Sequence, residues 1–327
     1  MNANSPLLPR AALTLDLIRE AHCRIRDKIH RTPVMTSESL DALAGARLFF
    51  KCENLQKTGA FKARGATNAV YSLSDEEARR GVATHSSGNH AAALARAAKL
   101  RGIPAHIVMP NNAPKAKQKS VLRYRGEIIS CEPTLEAREA AAAQVIERTG
   151  AVLIHPYNDL RVMAGQGTTA IEFLEQVPEL DLILCPVGGG GLLGGIAFAA
   201  KSLKPGIKII GVEPSGADDA ARSFRAGRII QSIRPNTIAD GLLTSLGALT
   251  FPEIQRSVDD IVTVSEESIG RSMRLIWEVM KLVVEPSGAV PYAVAHEGHT
   301  ILHRERIGIV LSGGNVDLDV LPWRPRN

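Results

Sequence analysis

Apolar positions along this chain fall into short runs of two alternating periods. LTLDLIREAHCRIRDKI carries its apolar residues at helical spacing and predicts an amphipathic helix behind a loose tail over 1–10. RLFFKCENL predicts a strand leading into QKTGAFKARGATNAVYSL, whose second half has helical spacing. A loop holding Thr58 and Gly59 therefore opens a helix near Phe61–Lys62. From Gly81 a regular rhythm sets in: strand GVATHS, helix AAALARAAKLRG, strand PAHIVMP, helix KAKQKSVLRYRG, strand EIISCE, helix TLEAREAAAAQVIERTG and strand AVLIHPYND. It resumes with a helix around Gln166–Gln176, strand DLILCPV, helix LLGGIAFAAKSL and strand KIIGVEP. The stretch Ser215–Pro252 is less regular. DIVTVS, a helix around Glu266–Val283 and the strand RIGIVLSGGN follow it.

Strands alternating with helices of about a dozen residues mean an α/β fold, with open, twisted, mostly parallel sheets covered by helices on both faces. The β/α units over 81–158 read as a small mobile domain, with 1–80 and 159–327 forming a larger one. Hydrophobic residues make up 45% of the 327 and aromatic residues only 4%, which excludes a disordered chain and requires a core of Ala, Leu, Ile and Val. The net charge of +5 is scattered, suiting anionic small molecules rather than nucleic acid. Cys23, Cys52, Cys131 and Cys185 lie far apart without zinc spacing and read as reduced thiols. No apolar run reaches the roughly 20 residues of a membrane helix. MNANSPLLPR lacks a basic region followed by an apolar stretch, so the expected location is the cytoplasm.

Four loops at the carboxyl ends of predicted strands carry unusual chemistry. In CPVGGGGLLGG, consecutive glycines before a helix let backbone N–H groups crowd round a phosphate. Gly189, Gly191 and Gly194 also fit GxGxxG, with Glu213 ending the next strand, so a nicotinamide-dependent oxidoreductase competes at this point. In KTGAFKARGA, Lys62 sits among small and apolar residues at a loop–helix junction, where a depressed pKa would make it a Schiff-base nucleophile; alone, it is an ordinary helix lysine. HSSGNHAAALA places Ser86, Ser87, Gly88, Asn89 and His90 at a helix N-terminus, a carboxylate cradle where simple capping needs only one such side chain. VLSGGN puts Ser312 at the end of the last strand, where a hydroxyl can bond a heterocycle nitrogen.

The combination of TGAFKARGA, SSGNH, AGQGT, PVGGGG and LSGGN, from about Leu15 to Leu318, resembles the fold-type II pyridoxal-phosphate enzymes. Within them it is similar to the serine racemase and serine/threonine dehydratase group, which includes L-threo-3-hydroxyaspartate dehydratases. The resemblance implies that Lys62 carries pyridoxal 5'-phosphate covalently, with Phe61 packed beside the ring. It assigns the phosphate to Gly188, Gly189, Gly190, Gly191 and Leu192, the ring hydroxyl to Asn89 and the pyridine nitrogen to Ser312. A neutral serine there makes the ring a weaker electron sink than an aspartate would, which favours β-elimination over transamination. The substrate carboxylate goes to Ser86–His90, with Arg138 and Thr244 on the substrate side. Lys62 becomes the base for the Cα proton, and Ser87 the acid–base group on the opposite face that racemisation needs.

The resemblance further implies a structural Mg²⁺ or Ca²⁺ on Glu213, Asp219 and the carbonyl of Ala217. It implies a homodimer, and ATP as an effector touching Lys57, Tyr124, Lys281 and Asn315. No regulatory domain is expected after Leu318. The expected activity is dehydration and deamination of a small hydroxy amino acid such as serine, threonine or threo-3-hydroxyaspartate to a keto acid and ammonia, with amino-acid racemisation beside it or in place of it. A catalytically silent binding protein would not need Lys62, Ser87, Asn89 and Ser312 together.

Overall fold

A computed structural model of the chain describes residues 12–86, 88–113, 115–297 and 306–323. Among these, the strands are β1 (Val34–Met35), β2 (Arg47–Lys51), β3 (Val82–His85), β4 (Ala105–Pro110), β5 (Glu127–Cys131), β6 (Val152–Leu153), β7 (Leu182–Pro186), β8 (Lys208–Pro214), β9 (Asp260–Val264) and β10 (Arg306–Val310). They form a six-stranded sheet in the order β1-β2-β10-β7-β8-β9 and a four-stranded sheet in the order β5-β4-β3-β6. All neighbours run parallel except β1 against β2, the topology expected of strands joined by helical crossovers. Strands β2, β7, β8 and β10 are buried along nearly their whole length and read as unbroken apolar runs, because helices cover both faces of the sheet.

The rhythm of the sequence reappears with four differences. The helix expected around Gln166–Gln176 starts at Leu160, where the Asp159 carboxylate accepts from Arg161 N at 2.8 Å. The glycines of AGQGT lie inside this helix rather than before it, because other helices touch its backbone there. A Cβ on Gly165 would lie 2.6 Å from Gly65 Cα, and one on Gly195 would lie 2.5 Å from Met163 O. The helix Leu160–Gln176 is thus clamped between Lys62–Tyr71 on one side and Gly191–Leu203 on the other. Second, AVLIHPYND gives only the two-residue β6. His155 Nδ1 accepts from the backbone N–H of Tyr157 (3.3 Å) and Asn158 (2.9 Å), turning the chain out of the strand. Third, the irregular stretch holds the helix Asp219–Ala226, and Pro286–Ala293 is a further unanticipated helix. Fourth, the helix from Glu266 is regular only to Leu275. A wider turn over Ile276–Met280 then ends at Lys281, whose φ of +58° stops the helix.

Between the three clamped helices and β2 lies a buried set of charges. The Arg64 guanidinium bonds both oxygens of Glu53 (2.7 and 2.8 Å) and both oxygens of Glu172 (2.7 and 2.8 Å). Lys51 reaches Glu172 at 2.9 Å, and also the Thr32 carbonyl and Gln176. Arg64, Glu53 and Lys51 are fully buried. Burial opposes the charge on Glu172, but Arg64 and Lys51 outweigh it and hold that carboxyl below its ordinary range. Two cations balance two anions, and the planar fork of the guanidinium supplies geometry that an ammonium lacks. Arg64→Met is expected to strip Glu53 of its cation, leave Glu172 with Lys51 alone and lower stability by roughly 3–5 kcal/mol. The urea midpoint of the purified variant measures this. Arg64→Lys, which keeps the charge but loses the fork, is expected to recover only part of it.

Candidate active site

The carboxyl ends of β2, β3, β7 and β10 open onto one cavity of about 370 Å³. Lys62 and Phe61 form part of its wall, on the turn that follows β2. That turn is built by Thr58 and Gly59, both in the left-handed region (φ +61° and +75°). The C-terminal segment holds it: Asn315 Nδ2 donates to the Thr58 carbonyl at 2.7 Å, and Gly314 N donates to the Gly59 carbonyl at 2.9 Å. Ser312, nearly fully buried at the end of β10, accepts the Phe61 N–H on its carbonyl at 3.0 Å. The last strand and the lysine turn are therefore registered residue by residue.

Lys62 opens its helix, and its Nζ donates to the Pro156 carbonyl at 2.7 Å. It forms no ion pair with a described carboxylate. Burial alone brings its pKa down to about 8. Such an amine loses its proton readily, as a carbonyl-attacking nucleophile must.

Across the cavity, Gly190 (φ +86°) caps the helix Gly191–Leu203, whose first N–H groups have no partner within the helix. The loop is glycine for contact reasons as well. A Cβ on Gly188 would lie 3.0 Å from Leu242 Cα, and one on Gly189 would enter the Tyr157 ring. Gly188, Gly189, Gly190, Gly191 and Leu192 all line the cavity. A phosphate fits this donor set, and the adjacent lysine fits an aldehyde.

After β3, Gly88 N donates to Ser86 Oγ at 3.4 Å, and the helix begins at Asn89. Ser87 lies outside the described residues. Asn89 Nδ2 donates to Glu285 at 2.7 Å, and its Oδ1 accepts from Asn315 Nδ2 at 2.9 Å. Glu285, buried and facing Asp240, has its pKa raised to about 8, first by burial. His90 is enclosed, with Nε2 3.2 Å from the Ile154 carbonyl, and burial holds it neutral. Its side chain thus anchors the helix, and its backbone N–H is what it offers the cradle. Arg138 and Thr244 both line the cavity; Arg138 Nε donates to the Thr134 carbonyl of its own helix at 3.2 Å.

Several cavity residues escaped the sequence reading. Tyr157 lines the wall with Thr244, whose hydroxyl offsets part of the burial that raises the phenol pKa, and stacks edge-on with His155 at 4.6 Å, which in turn meets His85. Burial brings the pKa of His155 down to about 4, so it stays neutral. At the mouth, Lys117 pairs with Asp240 at 2.6 Å. Only the HPYND turn after a strand signalled Tyr157, and nothing local signalled Glu285.

Glu213 is buried and accepts from the backbone N–H of Ala220 and Ala221 at 3.0 and 2.9 Å. Its carboxylate therefore faces inward, which removes the ribose contact a dinucleotide fingerprint requires. Glu213 and Asp219 form no ion pair with a described cation. Burial raises their pKa values to about 8 and about 6, and Asp218 nearby raises both, while Asp219 also raises Glu213. Two buried, mutually repelling carboxylates beside the Ala217 turn form an oxygen donor set that a hard cation would neutralise. Of the expected nucleotide contacts, Asn315 bonds Thr58 and Asn89, Lys281 bonds the Glu278 carbonyl and Tyr124 lies beneath Lys99. Lys57 lies on the lysine turn. No described helix is long and apolar enough to cross a membrane.

Known proteins resemble this chain in sequence and fold. The chain is 56% identical to the serine racemase of Arabidopsis thaliana over 309 residues, covering 93% of each protein. It is 52% identical to the beta-hydroxyaspartate dehydratase of Paracoccus denitrificans over 303 residues, covering 93% of this chain and 96% of that protein. The structure of maize serine racemase superposes with a TM-score of 0.92 at 52% identity, covering 94% of this chain and 95% of that one. Residues 25–313 match the family model described as pyridoxal-phosphate dependent enzyme. With its lysine, glycine loop and strand-end serine converging on one cavity, the chain belongs to the pyridoxal-phosphate dependent enzymes of fold type II.

Proposed function

We propose that this enzyme removes water and ammonia from a small hydroxy amino acid, leaving a keto acid, and exchanges configuration at Cα in the same site. The observation that carries the reading is Lys62. It is an amine with a lowered pKa and no carboxylate partner among the described residues, sharing one cavity with the glycine loop and Ser312. When bound, pyridoxal phosphate supplies the conjugated ring that accepts electron density from Cα. Gly188–Leu192 would hold the phosphate by backbone N–H groups, Lys62 would tether the aldehyde, Asn89 would bond the ring hydroxyl and Ser312 would serve the ring nitrogen. A neutral serine at that position would leave the nitrogen uncharged, which suits loss of a β-substituent over transamination. Ser86, Gly88 and Asn89 receive the substrate carboxylate at the helix N-terminus. Lys62, once released, takes the Cα proton from its face. Ser87, by its place between Ser86 and Gly88, is the residue we assign to the other face.

A hydroxy dicarboxylic amino acid suits this cavity, because Arg138 is free of ion pairs among the described residues. Residues 81–158, which carry the four-stranded sheet, form the mobile unit in this reading. The Lys117–Asp240 pair, bridging that unit to the rest, would hold it closed. Glu213, Asp219 and the Ala217 carbonyl hold a structural Mg²⁺ or Ca²⁺. ATP acts at Lys57, Tyr124, Lys281 and Asn315 of a homodimer. The setting is the cytoplasm, in keeping with four free cysteines.

The decisive assay measures keto-acid release from L- and D-serine, L-threonine, the 3-hydroxyaspartate isomers and phenylserine, with chiral analysis of the remaining substrate. Release from at least one hydroxy amino acid is expected, and inertness toward all of them overturns the reading. Lys62→Ala is expected to abolish the yellow, borohydride-reducible absorbance and to lower turnover by about 10⁴-fold or more. Uptake of pyridoxal phosphate by stripped wild-type protein is expected to quicken as pH rises through about 8, where Lys62 loses its proton. Chelation is expected to lower the melting temperature of the wild type by several degrees and to leave Glu213→Gln/Asp219→Asn unmoved. The same melt with magnesium-ATP tests the nucleotide.

A further inference from the structure

We infer that Tyr157 is a specificity-determining residue, whose hydroxyl, shared with Thr244, holds the β-oxygen of the substrate. The inference rests on the activity proposed above. Three parts of the cavity wall then have duties: Lys62 and Ser312, the glycine loop, and the Ser86–Asn89 helix start. A substrate fixed at its amine and carboxylate turns its β-carbon to the rest of the wall, where Tyr157 and Thr244 offer neutral hydroxyls beside the charged Lys117, Arg138 and Asp240.

The ring of Tyr157 is placed by packing that owes nothing to its hydroxyl. It rests on Gly189, where a Cβ would come within 2.4 Å of ring carbons, and its own Cβ lies against Gly191. Its edge meets His155 at 4.6 Å, and His155 in turn accepts from the Tyr157 and Asn158 backbone. Its place in sequence adds a constraint, because the preceding carbonyl, Pro156, is the acceptor for Lys62 Nζ. Tyr157 is thus registered against the lysine by a single peptide unit.

The phenol adds one thing to this packing, a hydroxyl that shares the cavity wall with that of Thr244 and is close enough for Thr244 to lower its pKa. Two hydroxyls that share one hydrogen bond use one proton between them, so the second remains a donor. Burial raises the phenol pKa above its ordinary value, which keeps that donor intact through the neutral range. A donor held this way favours a substrate oxygen and offers less to a halide of similar size. Tyr157 keeps its proton in this role, and no proton transfer is assigned to it.

The test compares leaving groups. The best hydroxy amino acid of the panel and β-chloro-L-alanine are assayed with wild type, Tyr157→Phe, Thr244→Val and Thr244→Ser. Retention of the cofactor absorbance verifies each fold. Tyr157→Phe is expected to lower kcat/KM for the hydroxy substrate about 10- to 100-fold, the worth of one hydrogen bond to a buried group, and to leave chloride elimination within about twofold. Thr244→Val should fall in the same direction, and Thr244→Ser should stay near wild type. Equal losses on both substrates, or no loss on either, overturn the inference. A wild type inert toward hydroxy amino acids overturns the proposed activity itself, a separate outcome.

Discussion

The bidentate grip of Arg64 on Glu53 and Glu172 is the constraint to which the rest of the architecture is tied. Glu53 belongs to the turn after β2 and Glu172 to the helix Leu160–Gln176, so one guanidinium joins the strand, the lysine helix and the helix behind it. Removing these charges from water is costly, and only complete pairing offsets it. Two residues away, Lys62 has the opposite treatment. Arg64 has its pKa driven up by partners that outweigh burial, whereas burial alone drives Lys62 down. A fully paired cation thus holds in place, on the same helical turn, an amine with no carboxylate partner among the described residues.

The site draws on both sheets. The six-stranded sheet contributes the lysine turn, the glycine loop and Ser312, and the four-stranded sheet contributes Ser86, Gly88, Asn89 and His90. Interleaving is tight where they meet: Asn89 bonds Glu285 and Asn315, and the ring of Tyr157 lies on the glycine loop. Reacting groups come from rigid strand ends, and the remaining wall comes from turns. Such a division lets one scaffold hold a cofactor firmly while the substrate side is shaped separately.

Much of this was legible in the sequence because parallel sheets write themselves as apolar runs separated by helical spacing. Glycines and hydroxyls at strand ends likewise stand out against that rhythm. The reading failed where tertiary contacts override local preference. Gly165 and Gly167 look like helix breakers, yet they lie inside a helix because Gly65 and Gly195 press against it. Pro286 opens a helix, as a first-turn proline can, and Pro291 lies within the same short segment, which local preference disfavours. Arg64, Glu53 and Glu172 lie up to 108 positions apart in pairing, and no local pattern reveals a buried salt bridge of that reach. Tyr157 was hidden for a related reason: its meaning comes from Gly189 and Thr244, which are remote in sequence.

The backbone contact of Gly65 with Gly165, and of Met163 with Gly195, has a consequence for how this sequence can diverge over generations. Any heritable change that adds a carbon at those crossings separates the lysine from the phosphate loop and is lost with the catalytic machinery. Variation that leaves the enzyme alive must therefore fall outside these crossings, where a side chain can change without parting the helices. Descendants of such a chain would keep one chemistry and differ in the molecules they apply it to.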